Sequence, residues 1–262
     1  MCGLFGFIGQ SADYNKLSML AIANDDRGGH ATGVFADGKT YKRTQPAKKF
    51  IPSIKAKIKG VQIAMGHTRY ATHGENNTEN AHPFSELDIV GAHNGIISNY
   101  RQLAKDYGFA VPQVDSQSIF RTLAPNDVTQ WPELIANMQG SMAITVVKDE
   151  RLFLYRRDNP LYIAQSKEGL YYSSVKQSLN MCGLIAEEID CHKLISIGID
   201  GKSASLDVEP TTYSGLNWDN WDTYDVDNIN ENAMEVYDFL LDSNRPDLLL
   251  KYEDLLRDCG LL

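Results

Sequence analysis

Apolar residues in this chain come in short runs, and most runs end at a turn signal. A chain punctuated this way folds into modest strands joined by tight turns, with helices where the alternation relaxes to a 3.6-residue period. Residues 4–8 are apolar and stop at Gly9. Residues 33–36 run into Asp37-Gly38, a hairpin signal, and Tyr41 resumes beyond it. Residues 61–67 and 89–93 are further strands. A second run covers 142–147, 152–156 and 161–165, punctuated by Asp149-Glu150 and Asp158-Asn159-Pro160. Residues 170–174 and 194–199 complete it, with Asp200-Gly201 as a turn. Helical spacing falls on 14–24, 98–107, 116–123 and 131–138. Two strand groups with helices between them predict an α/β protein built on two sheets.

The chain has 262 residues, 43% of them hydrophobic, enough for one large domain with a full core. No apolar run approaches the roughly 18 residues that cross a bilayer. The apolar start is short and has no basic leader, so a cytoplasmic protein without a membrane segment is expected. Cys2, Cys182, Cys191 and Cys259 form no C-x-x-C pair, which fits free thiols in a reducing compartment and no metal site or cofactor. The net charge of −9 is unevenly placed. From Leu206 onward there are fourteen acidic and three basic residues, so residues 1–205 are close to neutral. Nothing resembles the basic footprint of a nucleic-acid binder. The pattern also changes near residues 209–215. A loop rich in Thr, Ser, Asn and Asp runs to about Asn230, and amphipathic helices are expected over 233–241 and 246–256. They either pack on the parent domain or dock a partner. The expected division is therefore 1–205 and an acidic, partly helical extension, 206–262.

Several residues carry chemical potential. Cys2 is either a buried small side chain or a nucleophile. If Met1 is removed, its thiol and its own α-amine share one residue, and an amine with a pKa of about 7.7–8.0 is a suitable base. Gly66-His67-Thr68-Arg69-Tyr70-Ala71-Thr72-His73-Gly74 crowds polar groups just after an apolar strand. Arg69 suits a carboxylate held by two parallel hydrogen bonds, or a surface ion pair. A metal site on His67, His73, His82 and His93 has no supporting spacing. In His93-Asn94-Gly95-Ile96-Ile97, Asn94-Gly95 reads as a hairpin turn or as a pair of oxyanion donors. Asp115 is a helix N-cap or a receptor for an ammonium group.

Together these segments resemble the class II glutamine amidotransferases. Met-Cys-Gly-Leu-Phe-Gly is similar to their start. G-H-T-R-Y-A-T-H-G, Asn80-Ala81-His82-Pro83 and H-N-G-I-I are similar to the glutaminase domain of glucosamine-6-phosphate synthase. Tyr70 and Asp115-Ser116 look more like amidophosphoribosyltransferase. Arg27-Gly28 with Gly33, and the stretch 156–161 ending in Pro160-Leu161, resemble two further family segments. The likeness covers residues 1–205. It implies a four-layer αββα sandwich of the N-terminal-nucleophile hydrolase type, carrying a C-terminal helical extension. It also implies a glutaminase that releases glutamate and ammonia from L-glutamine through a Cys2 thioester. Arg69 would bind the α-carboxylate, with Tyr70, Thr72 and His73 in the same pocket, and Asp115 the α-ammonium. Asn94 and Gly95 would hold the oxyanion, and Arg27 would support the nucleophile. The expected partner is a separate ammonia-accepting synthase or ligase.

This chain departs from the family at His30, where Asp is usual, and at Tyr70, where the sugar-phosphate enzymes have Trp. It also has Ser173-Ser174-Val175 where an acidic residue is common. Two alternatives stay open: an acylase acting on another amide, and an inactive domain kept for binding.

Overall fold

The computed structural model describes residues 2–36, 38–71 and 75–209. Two antiparallel sheets face each other. The first has the strand order β11-β9-β10-β1-β4-β2-β3 and the second β13-β12-β8-β7-β6-β5. In the first, β1 (Gly3–Gly9) lies between β10 (Gly169–Ser173) and β4 (Ile63–Arg69); β2 (Ala31–Ala36) and β3 (Lys39–Arg43) continue past β4, while β9 (Tyr162–Gln165) and β11 (Glu187–Glu188) continue past β10. The second runs from β5 (Phe84–Glu86) through β6 (Ile89–Gly95), β7 (Met142–Lys148), β8 (Arg151–Arg156) and β12 (Lys193–Gly198) to β13 (Ser203–Asp207).

Strand period two sorts the side chains into layers. Leu4 and Ile8 of β1, Met65 of β4 and Tyr172 of β10 meet Ala92, Ala143, Leu152 and Leu154 of the second sheet in an apolar seam. The alternate residues Phe5 and Phe7 face outward, onto α1 (Tyr14–Ala23), α2 (Ala47–Ser53) and α7 (Lys176–Met181) through Leu17, Leu20, Phe50, Ile51 and Leu179. The outer face of the second sheet takes α5 (Ser116–Leu123) and α6 (Trp131–Ala136), with Ile119, Phe120, Leu123, Trp131 and Ile135 packed on Ile144, Val146 and Phe153. Two further helices, α3 (Lys55–Ile58) and α4 (Tyr100–Asp106), complete the outer layers through Ile58 and Leu103. The architecture is the expected αββα sandwich. Each large side chain fully buried in it contributes about 1.5–3 kcal/mol over leaving it in water.

The structure revises several local expectations. The second run of strands does not form one sheet. β9 and β10 cross back to the sheet of β1, with β10 paired to β1 and β9 to β10, because Tyr171 and Ala164 bury against the first helix layer. The strand expected over 61–67 is β4, Ile63–Arg69, so Arg69 ends the strand instead of following it. Helix α2 is an addition. Its first free N–H groups, Ala47 and Lys48, are capped at 2.6 and 2.9 Å by the carboxylate of Asp25, twenty-odd residues away. The expected division between 205 and 206 falls inside β13, and Val208 beyond it is buried in the second core. Thr72, His73 and the helices expected over 233–241 and 246–256 lie outside the described residues.

Candidate active site

β1 and β4 run antiparallel with Gly3 opposite Thr68, which sets Cys2 and Arg69 side by side at the same end of the first sheet. Cys2 is half-buried. Its sulfur accepts from the Tyr70 backbone N–H at 3.4 Å, and its S–H reaches the Tyr70 carbonyl at 3.6 Å. Arg27 Nε donates to the Cys2 carbonyl at 2.9 Å, fixing the residue's own backbone. Burial raises the thiol pKa; the Tyr70 N–H and the Arg69 charge work against that rise, and Asp115 adds to it. The resting sulfur is therefore a thiol that needs a base before it attacks.

Arg69 is 3% exposed. One of its terminal nitrogens donates to the Glu75 carbonyl at 3.0 Å, and Asn80 Nδ2 donates to the same oxygen at 3.2 Å. Burial lowers the guanidinium's pKa, and the fields of Cys2 and Asp115 pull it back up. It remains charged regardless. Tyr70 meets Cys2 through its backbone, while its ring, nearly half exposed, stacks on His30 with centroids 4.7 Å apart. His30 also ties down this segment. Its backbone N–H donates to the Arg69 carbonyl at 3.0 Å, and its Nδ1 accepts from the Ala71 N–H at 3.0 Å.

On the facing sheet, Asn94 and Gly95 end β6. They belong to a strand end instead of a two-residue hairpin, since β6 pairs directly with β7 through Gly95 opposite Met142. The Asn94 side chain is buried, and its Nδ2 has no partner among the described residues. An unmet buried amide costs about 1–3 kcal/mol, so it calls for an explanation in function or solvent. Gly95 has φ +140, and a Cβ there would lie 2.1 Å from the Ser141 carbonyl. Only glycine fits.

Asp115 precedes α5 but makes no side-chain cap. Its Oδ2 accepts from the Ile97 N–H at 2.7 Å, and its other oxygen is unengaged among the described residues. The cap reading therefore fails: the carboxylate faces the β6 segment and not its own helix. His93 braces the same region. Its Nε2 donates to the Ser141 carbonyl at 3.4 Å, leaving Nδ1 to accept from the Ser116 hydroxyl at 2.8 Å.

The structure thus brings Cys2, Arg27, Arg69 and Tyr70 together at one end of the first sheet, with Asp115 close enough for its charge to act on Cys2 and Arg69, and sets Asn94 and Gly95 at the end of β6. It adds Asn159, which the sequence offers only as a turn residue before Pro160: Asn159 Nδ2 donates to the Asn94 carbonyl at 2.6 Å. Among the described residues no group of three His, Cys, Asp or Glu side chains is placed to hold a metal ion. His67 and His82 instead lie ring against ring in a tilted arrangement, with centroids 4.1 Å apart. No helix among the described residues is long and apolar enough to cross a membrane.

Comparison with known proteins points one way. Residues 67–181 match the glutamine amidotransferase domain family. The chain is 32% identical over 201 residues to the glutamine–fructose-6-phosphate aminotransferase (isomerizing) of Clostridium acetobutylicum, covering 66% of this chain and 31% of that protein. It is 32% identical over 195 residues to the enzyme of that name from Methanosarcina mazei, covering 64% of this chain and 31% of that protein. It spans about a third of the length of these curated relatives. In fold it resembles the glutamine phosphoribosylpyrophosphate amidotransferase of Bacillus subtilis, with TM-score 0.69 and 21% identity over 80% of this chain and 50% of that one. It also resembles a glutamine aminotransferase class-II domain protein from Silicibacter pomeroyi, with TM-score 0.53 and 14% identity over 80% of this chain and all of that one.

Proposed function

We propose that this chain, which resembles the class II glutamine amidotransferases in sequence and in fold, hydrolyses the side-chain amide of glutamine with Cys2 as nucleophile. The observation that supports this best is the Cys2 sulfur held against Tyr70 beside the buried Arg69, with the Asn94 amide, unpartnered among the described residues, next to His93, whose carbonyl accepts from His67 of β4. After removal of Met1, the α-amine of Cys2 takes the thiol proton. The sulfur then attacks the γ-carbonyl carbon, and the carbonyl π pair moves onto oxygen. Asn94 Nδ2 and the Gly95 N–H are the proposed donors to that oxyanion, each worth about 2.7–4 kcal/mol of barrier. The α-ammonium returns its proton to the amide nitrogen, which leaves as ammonia. Water, deprotonated by the same amine, then cleaves the thioester to glutamate. Arg69 is the proposed clamp on the substrate α-carboxylate, and Tyr70, Thr72 and His73 are proposed to contribute to the same substrate pocket. Asp115 receives the α-ammonium through its unengaged oxygen. Arg27 holds the Cys2 backbone in place.

The named relatives are aminotransferases and amidotransferases, which supports onward transfer of the nitrogen. The proposed recipient is a separate ammonia-accepting synthase or ligase. Free amino-acid substrates carry two opposite charges at one carbon, and Arg69 with Asp115 matches them. That pairing speaks against an acylase for uncharged amides.

The test is Cys2→Ala. Glutamate release from glutamine is expected to vanish while the thermal transition stays in place. A glutamine-like diazoketone should label Cys2 and leave Cys182, Cys191 and Cys259 unmodified. Glutaminase activity surviving in Cys2→Ala would remove the nucleophile from this scheme. An intact, unprocessed Met1 in the native protein, found by mass spectrometry, would favour the inactive binding domain.

A further inference from the structure

We infer that Asn159 is a positioning residue for the oxyanion hole, acting through the peptide plane that joins Asn94 to Gly95. This rests on the glutaminase reading above and adds a residue to its machinery.

The orientation of the Gly95 N–H follows from the ladder. β6 and β7 are antiparallel, with Asn94 opposite Ala143 and Gly95 opposite Met142. The Met142 carbonyl accepts from the Arg157 N–H at 2.8 Å, so it faces β8 and not β6. The next bond along β6 is from Ile96 N–H to the Ser141 carbonyl, at 3.0 Å. Gly95 and Met142 are thus a pair without mutual hydrogen bonds, and the Gly95 N–H points away from β7. A trans peptide is flat, so the Gly95 N–H is antiparallel to the Asn94 C=O. Whatever holds that carbonyl also aims that N–H.

Asn159 helps to hold it. Its Nδ2 is 2.6 Å from the Asn94 oxygen, and lies only 2.7 Å from where a Cβ on Gly95 would stand. The amide is delivered by a stiff turn: Pro160 follows with its fixed φ, and Leu161 is fully buried in the seam between the sheets. Two more bonds fix the following residues, Ser141 on Ile96 and Asp115 on Ile97. Neither acts directly on the 94–95 plane, which is held by the Ala143 N–H and by Asn159 together. A donor on the carbonyl also polarises the peptide and makes its N–H a stronger donor. Asn159 touches no reacting atom. It works by keeping one oxyanion donor aimed before the substrate arrives, where reorientation would otherwise add to the barrier.

The experiment uses the full chain with Asn159→Asp, nearly isosteric but unable to donate when ionised, and Asn159→Ala. Glutamate release should show kcat reduced about tenfold to a hundredfold, part of the ~10²–10³ that a whole donor supplies. KM for glutamine should stay within about twofold. The second readout is glutamate γ-semialdehyde. The Cys2 sulfur adds to its aldehyde carbon, the C=O π bond opens, and the thiol proton passes to the new oxygen. That thiohemiacetal fills the oxyanion hole, so its affinity should fall by about the same factor as kcat. The affinity for glutamine, measured in a Cys2→Ala background, should not. If kcat is unchanged in both variants, the inference is wrong. It is equally wrong if aldehyde and glutamine affinity fall together, which is what a general loosening of the fold produces. Their ratio is read on folded protein, so a less stable variant still decides the matter. Survival of activity in Cys2→Ala would instead overturn the glutaminase reading itself.

Discussion

Arg69 illustrates how a side chain is prepared for a ligand at the scale of one residue. It is 3% exposed, its strand is pinned to β1, and one nitrogen is already engaged on Glu75. As the proposed clamp on the glutamine α-carboxylate, it acts equally on bound substrate and transition state. Arg69→Lys keeps the charge but loses the planar fork. KM is expected to rise roughly tenfold to hundredfold, matching the ~1.5–3 kcal/mol of a hydrogen bond to a charged group, while kcat changes little. Steady-state kinetics checks this; a lower kcat at constant KM would move Arg69 to the transition state. Legibility differs sharply between neighbouring residues. Cys2, Arg69, Asn94 and Gly95 are legible as candidates because each belongs to a dense local motif. Asn159 is not, because Asn before Pro is an ordinary turn signal and its partner lies sixty-five positions away. Asp115 is half legible: its place before a helix suggests a cap, and only the folded chain shows its carboxylate turned to Ile97.

At the scale of elements, the seam near the site buries imidazoles from three segments: His67 on β4, His82 ahead of β5 and His93 on β6. Burial holds all three below the ordinary histidine pKa, and pushes His67 down to about 3. His67 Nε2 donates to the His93 carbonyl at 3.1 Å, whereas neither ring nitrogen of His82 has a partner among the described residues. A histidine that is neutral when folded but protonates when unfolded supports the fold fully above about pH 6.5. That support is lost as pH falls from there toward the folded pKa, because the unfolded chain binds the extra proton. The slope is at most about 1.4 kcal/mol per pH unit for each ring. Urea midpoints should therefore fall between pH 7 and pH 5. His82→Phe, which keeps a ring between His67 and Phe84, should flatten that slope by about one proton. An unchanged slope in His82→Phe would mean that His82 protonates freely in the folded chain.

For the whole molecule, the charge asymmetry sets the remaining prediction. Residues 1–205 are near neutral, and fourteen of the 34 acidic residues follow Leu206. Because β13 reaches Asp207 and Val208 is buried, the informative truncation ends at Glu209 and not at Ser205. Residues 1–209 should remain folded with the proposed glutaminase activity near normal and lose glutamine-dependent transfer to the proposed acceptor enzyme. The acidic segment is the proposed surface that steers a basic partner. Aggregation of the truncated chain would show that residues 210–262 are needed for the core. By itself the sequence determined where most strands and helices lie, because period-two and period-3.6 patterns and turn residues act over a few positions. It also determined the ordered set of motifs that carries the family likeness. Only the tertiary structure decided that β9 and β10 return to the sheet of β1, since partner choice among similar apolar strands depends on which faces can be buried together. It alone decided the cap on α2, the aim of Asp115 and the bond from Asn159 to Asn94. Each of these joins groups far apart along the chain, and a hydrogen bond across that separation exists only once packing has brought donor and acceptor within 3 Å.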